Sequence, residues 1–206
     1  MVGATGCGST GPTGAASPPA SAPPSATSST PTASPAAPAA SASRPVETPP
    51  PLPPGVTVDP GLLEVLPTEI DGVTLEPDAA TAAQVGSDPL LAESALSLAV
   101  ALAVAPGASS TEDLAVASII RLRPEVFDEA FYQEWRDTYD EAACEVADGV
   151  ESEDQTEIGG REVYVGTCVG GARTYHTYLA DQGFIVSVTA TGERRFGELI
   201  MAGLAG

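Results

Sequence analysis

His176 is the only histidine in the chain. As a general base it would need a nucleophile within hydrogen-bond reach and a carboxylate to orient it. Its neighbours Thr174, Tyr175 and Tyr178 read as ordinary sheet residues, and one imidazole cannot complete a zinc site. Neither catalysis nor metal binding is therefore expected at His176. Five carboxylates, Asp148, Glu151, Glu153, Asp154 and Glu157, crowd one short stretch. Oxygen-rich loops hold Ca²⁺, but the Asp-x-Asp-x-Asp-Gly spacing of such a loop is missing, so the stretch reads as a solvated connection. Tyr164, Tyr175 and Tyr178 fall in adjacent strands, where they form either a platform for a sugar or peptide or half-buried sheet residues. The chain has no Gly-x-Ser-x-Gly elbow, P-loop, His-Glu-x-x-His or Cys-x-x-Cys motif. A carboxylate pair for glycoside hydrolysis is defined by distance in space, which spacing along the chain does not reveal. No catalytic, cofactor-binding or metal-ligating residue is assigned, and no cofactor is expected.

The elements that would carry these residues follow from periodicity. Leu62, Leu63 and Leu66 before Pro67 predict a short helical turn, and Asp71-Gly72 a small hairpin. The apolar run 90–105 is shorter than the roughly 20 residues that cross a bilayer. It reads as a buried core helix, with Ser87 or Asp88 as N-cap and Pro106-Gly107 as its stop. Residues 114–122 alternate as a strand. Phe127, Phe131, Trp135, Thr138, Ala142 and Val146 form one helical stripe, with Glu134, Asp137, Asp140 and Glu141 on the solvated face. Three strands then follow, over 161–169, 174–179 and 184–190, joined by turns at Gly170-Gly171 and Asp181-Gln182-Gly183. A helix over 193–204 closes the chain, with Thr191 as N-cap. This order predicts an α+β fold, an antiparallel three- to four-stranded sheet with helices packed on it.

Composition divides the chain near residue 56. Fourteen of the 20 prolines lie in the first 54 residues, and all ten aromatic residues lie beyond 126. A segment so poor in bulky apolar surface cannot offset its ordering entropy, so 8–56 is expected to be a disordered tether and 57–206 a single domain. Arg44 and Glu47 cancel in the first part, which leaves the formal charge of −20 to 57–206. A field of that sign repels nucleic acid and excludes it as a partner. The chain has neither Lys nor Asn, so all eight basic residues are Arg. Both absent residues have A/T-rich codons, and a GC-rich genome accounts for the bias.

Small residues before a cysteine, Ala4-Thr5-Gly6-Cys7, followed by the Ser/Ala/Thr/Pro tract, resemble the lipobox and surface tether of a bacterial cell-envelope lipoprotein. Residues 1–7 are then the remnant of a signal peptide. Its apolar run of roughly 7–15 residues is expected upstream of Met1, which becomes an internal start. The resemblance implies lipidation at Cys7, with the membrane as a partner through that lipid, and a place on the extracytoplasmic face of the cell membrane. In an exported protein the remaining pair, Cys144 and Cys168, is most simply a disulfide. Cys144 lies off the helical stripe and Cys168 opposite the strand's valines, so the bridge is expected at a rim or the helix must end before Cys144. The expected function is a non-enzymatic binding or interaction module for a protein, peptide or glycan. The alternatives are an envelope hydrolase with unassigned carboxylates, and a lipid or hydrophobic-ligand carrier whose cavity is lined by Leu96, Val100 and Val104.

Overall fold

Residues 55–107 and 113–205 are described in the computed structural model. Cys7 and positions 8–54 of the expected tether lie outside the described residues. From the amino end, β1 (Thr57–Val58) leads into a 3-10 turn (Pro60–Val65) and a hairpin of β2 (Glu69–Ile70) and β3 (Val73–Thr74). Then come β4 (Glu76–Pro77), α1 (Ala79–Gly86), α2 (Leu91–Ser94), β5 (Ala95–Val104) and β6 (Leu114–Leu122). The second half holds α3 (Glu129–Cys144), four strands β7 (Val150–Ile158), β8 (Arg161–Cys168), β9 (Arg173–Leu179) and β10 (Phe184–Thr191), and α4 (Phe196–Gly203).

These elements correct the expected fold class. The sheet is mixed and has eight strands, ordered β1-β5-β6-β10-β9-β8-β7, with β4 also pairing β5. The β1–β5 pair is parallel and the other pairs are antiparallel. The strand at 114–122 joins the meander at its β10 edge, Ser118 opposite Ser187.

Two long strands, β5 and β7, and the two-residue strands β1 and β4 account for the difference. The run 90–105 is helical only over Leu91–Ser94, and Ala95–Val104 is a strand. Ala99, Ala101 and Ala103 point to one face, and Leu98 and Val100 to the other. Both faces are covered, so polarity does not alternate, and what alternates with period two is side-chain bulk. Helix propensity differences of a few tenths of a kcal/mol per residue yield to that packing. The second strand is β7: the acidic stretch 150–158 pairs with β8 and ends the sheet, with seven of its nine side chains exposed. It is a strand, not a connecting loop.

Helices and turns cover both faces. The 3-10 turn, the β2–β3 hairpin and α4 pack Leu62, Ile70, Val73, Phe196, Ile200 and Met201 onto one of them. On the other face α1, α2 and α3 contribute Ala82, Leu91 and Tyr132 over Leu98, Val100, Ile120 and Ile185. Each fully buried aliphatic or aromatic side chain contributes about 1.5–3 kcal/mol relative to exposure. α4 begins at Phe196 after Arg195, which has φ 56°. Thr191 is the last residue of β10 and not the helix cap. Close to this start, the backbone of Gly197 lies so near the Tyr175 ring that a Cβ there would stand 2.1 Å from it.

Candidate functional site: a buried relay and an aromatic cleft

α3 runs along β8 with a simple match of repeats. Four residues of helix advance about 6.0 Å and two residues of strand about 6.6 Å. Arg136 therefore lies over Tyr164, its guanidinium carbon 3.5 Å from the ring centroid. One turn on, Asp140 reaches Gly166, and one turn further Cys144 bonds Cys168. The buried residues of this helix are Tyr132, Asp140 and Cys144, spaced by multiples of four. The first half of the expected stripe, Phe127, Phe131 and Trp135, packs partly buried against the core, but its second half is rotated away from the sheet: Thr138 and Ala142 are exposed and Val146 is 97% exposed. That rotation also removes the expected difficulty with the disulfide. Cys144 ends the helix on its inward side, and Cys168 shares the inward strand face with Tyr164 and Gly166.

Gly166 is what lets the acid in. A Cβ at that position would lie 2.5 Å from Asp140 Oδ2 and 2.4 Å from Thr174 Oγ1. Through the gap, Asp140 Oδ1 comes 2.9 Å from His176 Nε2, and His176 Nδ1 lies 2.9 Å from Ser187 Oγ. The Trp135 indole N–H donates to the same Ser187 oxygen at 3.2 Å. An indole nitrogen only donates, so Ser187 accepts there and has its own hydrogen for His176 Nδ1. Nε2–H then donates to Asp140, and each donor meets an acceptor. This tautomer is assigned from the network. Beside it, Tyr139 packs edge-on to the His176 ring at 4.9 Å, and its hydroxyl meets Thr189 Oγ1 at 3.1 Å. Burial raises the Tyr139 phenol above its ordinary pKa, with hydrogen bonds to Thr189 and Ser118 acting against it.

A serine, a histidine and an aspartate in one line have the composition of a hydrolase relay, but here the geometry is wrong for attack. Ser187 and His176 are 0% exposed and Asp140 is 4% exposed. The ring is also turned, with the serine on Nδ1 and the carboxylate on Nε2, opposite to the nucleophile-activating arrangement. Asp140 alone touches a solvent-facing recess of about 230 Å³, which also contains Arg136, Glu153, Asp154 and Tyr164. The nucleophile is sealed, and the carboxylate is the member nearest water. The relay ties α3 to β9 and β10.

A cleft of about 440 Å³ opens at the amino end of α3, between that helix and the β8–β9 strands. Phe127, Tyr132, Tyr164 and Tyr178 form its aromatic wall, with Glu129, Glu162, Asp181, Arg161 and Gln182 among its polar groups. Phe127 and Tyr178 stack at 3.5 Å, and Tyr132 meets Tyr164 edge-on at 5.7 Å. Two buried side-chain oxygens among the described residues have no hydrogen-bond partner, the Tyr132 hydroxyl and Thr174 Oγ1. Burial pushes the Tyr132 phenol well above its ordinary pKa, and Arg136 opposes the shift. Desolvation also raises Tyr164, reinforced by its hydrogen bond to Glu162.

Of the three tyrosines expected to form a platform, Tyr164 and Tyr178 line this cleft. Tyr175 lies on the opposite face, buried under α4. Tyr132 and Phe127 complete the wall in its place. His176 belongs to the relay, and its carboxylate partner is Asp140, which the helical stripe had assigned to solvent. The i, i+4 series Tyr132, Arg136, Asp140, Cys144 was the available signal, hidden because two of its members are charged. Asp148, Glu151, Glu153, Asp154 and Glu157 lie on or beside β7. No group of three or more His, Cys, Asp or Glu side chains that could hold a metal is found among the described residues. Leu96 and Val104, expected to line a carrier's cavity, are 39% and 43% exposed, and Val100 is packed in the core. No helix among the described residues is long and apolar enough to cross a membrane. Comparison with known proteins returns no matching family model, curated protein or solved structure.

Proposed function

We propose that this protein is a non-catalytic binding module of the cell envelope, held at the outer face of the membrane by lipid on Cys7 and engaging its ligand in the aromatic cleft. The observation that carries the reading is a contrast in access: the side chains with the composition of a hydrolase relay are sealed, whereas the open cleft presents aromatic and polar walls. Its volume falls in the range of about 300–1,000 Å³ common to small-ligand sites. The cleft carboxylates Glu129, Glu162 and Asp181 are all exposed, without the apolar enclosure that sets up a general acid. The Cys144–Cys168 disulfide supports the extracytoplasmic placement, because such bonds persist in oxidising compartments.

Two experiments test the two halves. Expressed from a start codon upstream of Met1, the protein should take up labelled palmitate and sediment with membranes, and Cys7→Ala should abolish both. Unlabelled, soluble wild-type protein would overturn the anchoring. Hydrogen exchange on the full chain, with and without a detergent extract of its own envelope, should show protection confined to the start of α3 and to the strand segments holding Tyr164 and Tyr178. Unchanged exchange there, together with turnover of an ester or glycoside, would favour the hydrolase instead.

A further inference from the structure

We infer that the outer edge of β7 docks a basic peptide segment, which adds to the sheet as a further strand and sets a Lys or Arg side chain in the recess beside Asp140. Docking there goes beyond the ligand binding proposed for the aromatic cleft and holds whether or not the cleft is occupied.

The turn at the end of β7 fixes which of its backbone groups point outward. Gly159 and Gly160 have φ 62° and 77°, the backbone of a two-residue hairpin turn, and Ile158 pairs with Arg161 across it. In an antiparallel ladder, bonded and non-bonded pairs alternate. Ile158, Thr156 and Asp154 therefore turn their N–H and C=O groups to β8, and Glu157, Gln155 and Glu153 turn theirs outward. No strand lies beyond β7 among the described residues, and no other backbone group there bonds to these three. They form a row of donors and acceptors to which an extended chain can pair, main chain to main chain.

The side chains select the kind of chain. Glu153 lies opposite Gly166 and Gln155 opposite Tyr164, so both rise on the face that α3 covers. Between them and the helix is the recess of about 230 Å³, lined by Asp137, Asp140, Glu153 and Asp154 and by Arg136. Four carboxylates against one guanidinium leave a formal excess of three negative charges. Arg136 lies over the Tyr164 ring and makes no ion pair with the four among the described residues. Asp140 adds an observation independent of surface charge. The residue is 4% exposed, and its Oδ1 is taken by His176. Its Oδ2 has no hydrogen-bond partner among the described residues, yet it is not one of the two sealed oxygens. It is therefore an acceptor held open toward the recess.

The recess is smaller than the roughly 300–1,000 Å³ of small-ligand sites and has room for one long side chain. Among the described residues its carboxylates do not gather in threes that could hold a metal. A Lys or Arg on an added strand meets both demands. Its main chain pairs with β7, and its charged head donates to Asp140 Oδ2 and to Glu153. Opposite charges on neighbouring strands stabilise the pairing.

The probe is a peptide as long as β7 that alternates Lys and Thr, titrated into the full chain by calorimetry. Peptides with Glu or Gln in place of Lys vary the charge, and Ca²⁺ alone serves as the metal probe. Two further Lys/Thr peptides are N-methylated on every Lys amide or on every Thr amide, and only one of those sets can face β7. The expected result is binding of the Lys/Thr peptide, with one methylated version at least tenfold weaker and the other unchanged. Hydrogen exchange should slow at the Glu153, Gln155 and Glu157 amides when the peptide binds. Glu153→Gln and Asp140→Asn should each weaken binding severalfold, and Glu69→Gln on the separate β2–β3 hairpin should leave it unchanged. If Asp140→Asn does not fold, Glu153→Gln decides. Equal binding of both methylated peptides reduces the contact to diffuse attraction and overturns the inference. So does equal binding of the Gln or Glu peptide, or binding that ignores Glu153→Gln. Ca²⁺ binding lost in Glu153→Gln, without peptide binding, would give the recess to a metal. Slowed exchange of the same three amides in concentrated protein alone would give the edge to a second copy. Either result, or no binding of any probe, overturns it.

Discussion

Gly166 and Asp140 show how much one missing Cβ determines. The carboxylate occupies the space that any other residue's side chain would fill, and from there it reaches across β8 to His176 on β9. Gly166→Ala should therefore cost about 1–3 kcal/mol by overpacking and expel Asp140 from His176. Denaturant melts read the first effect and the His176 ring resonances the second. An unchanged ring environment would show that Asp140 enters by another route. Ser187→Ala tests the same network from its far end. It strips the Trp135 N–H and His176 Nδ1 of their shared partner, at about 1–3 kcal/mol for each buried group left unpaired. The variant should lose stability, whereas a hydrolytic role would predict lost turnover at unchanged stability. Neither Asp140 nor Ser187 was legible beforehand. An aspartate among acidic neighbours on a helix reads as solvated until the partner strand is known, and a serine in an apolar strand reads as filler.

At the scale of elements, the disulfide fastens the carboxyl end of α3 to the inward face of β8. The two cysteines are 24 positions apart, and closing such a loop stabilises the folded state by about 3.5 kcal/mol on the chain-entropy model. Reduction should lower the unfolding free energy by up to that amount. It should also raise amide exchange first in the last turn of α3, and protection lost first in α1 would contradict the assignment. α1 carries its own pH dependence. Asp78 caps it by accepting from the Thr81 N–H at 3.0 Å, and that hydrogen bond, ahead of one from the Thr81 hydroxyl, holds the carboxyl below its ordinary value of 3.8. Because the folded value is the lower one, the cap contributes fully above the unfolded value and is lost as pH falls through the folded value. Fraying of α1 below about pH 4 should vanish in Asp78→Asn, whose amide caps at any pH. Exchange at Thr81 across an acid titration checks it. The same elements show which local signals survive tertiary context. The Asp71-Gly72 hairpin, the strand at 114–122 and the turns at 170–171 and 181–183 depend on residues within a few positions and were readable. β5 was not, because its Leu/Ala alternation satisfies helix propensity and a doubly covered strand equally. Beyond Trp135 the face of α3 was misjudged because the side it buries includes an arginine and an aspartate. Half the cleft, Tyr164 and Tyr178, was visible as strand aromatics. Phe127 was read into a helix without any indication of where its start would dock, and Tyr132 was not singled out at all.

For the molecule as a whole, the dominant quantity is the formal charge of −20. Self-repulsion of that size opposes compactness and weakens with screening. Raising salt from about 10 mM to about 150 mM shortens the screening length from roughly 30 Å to 8 Å. The thermal midpoint should rise over that interval, and a midpoint that falls would mean that ion pairs such as Arg194–Asp71 outweigh the repulsion. The outermost strand shows what the charge achieves locally. β7 is nine residues long, and a bare sheet margin of that length is a template on which further chains stack. Laid antiparallel on its own twin, it would bring Glu151, Glu153, Asp154 and Glu157 against a second row of carboxylates, and opposed like charges destabilise a ladder. Copies crowded together are thus held apart at their borders, and edge-to-edge stacking is opposed from its first step.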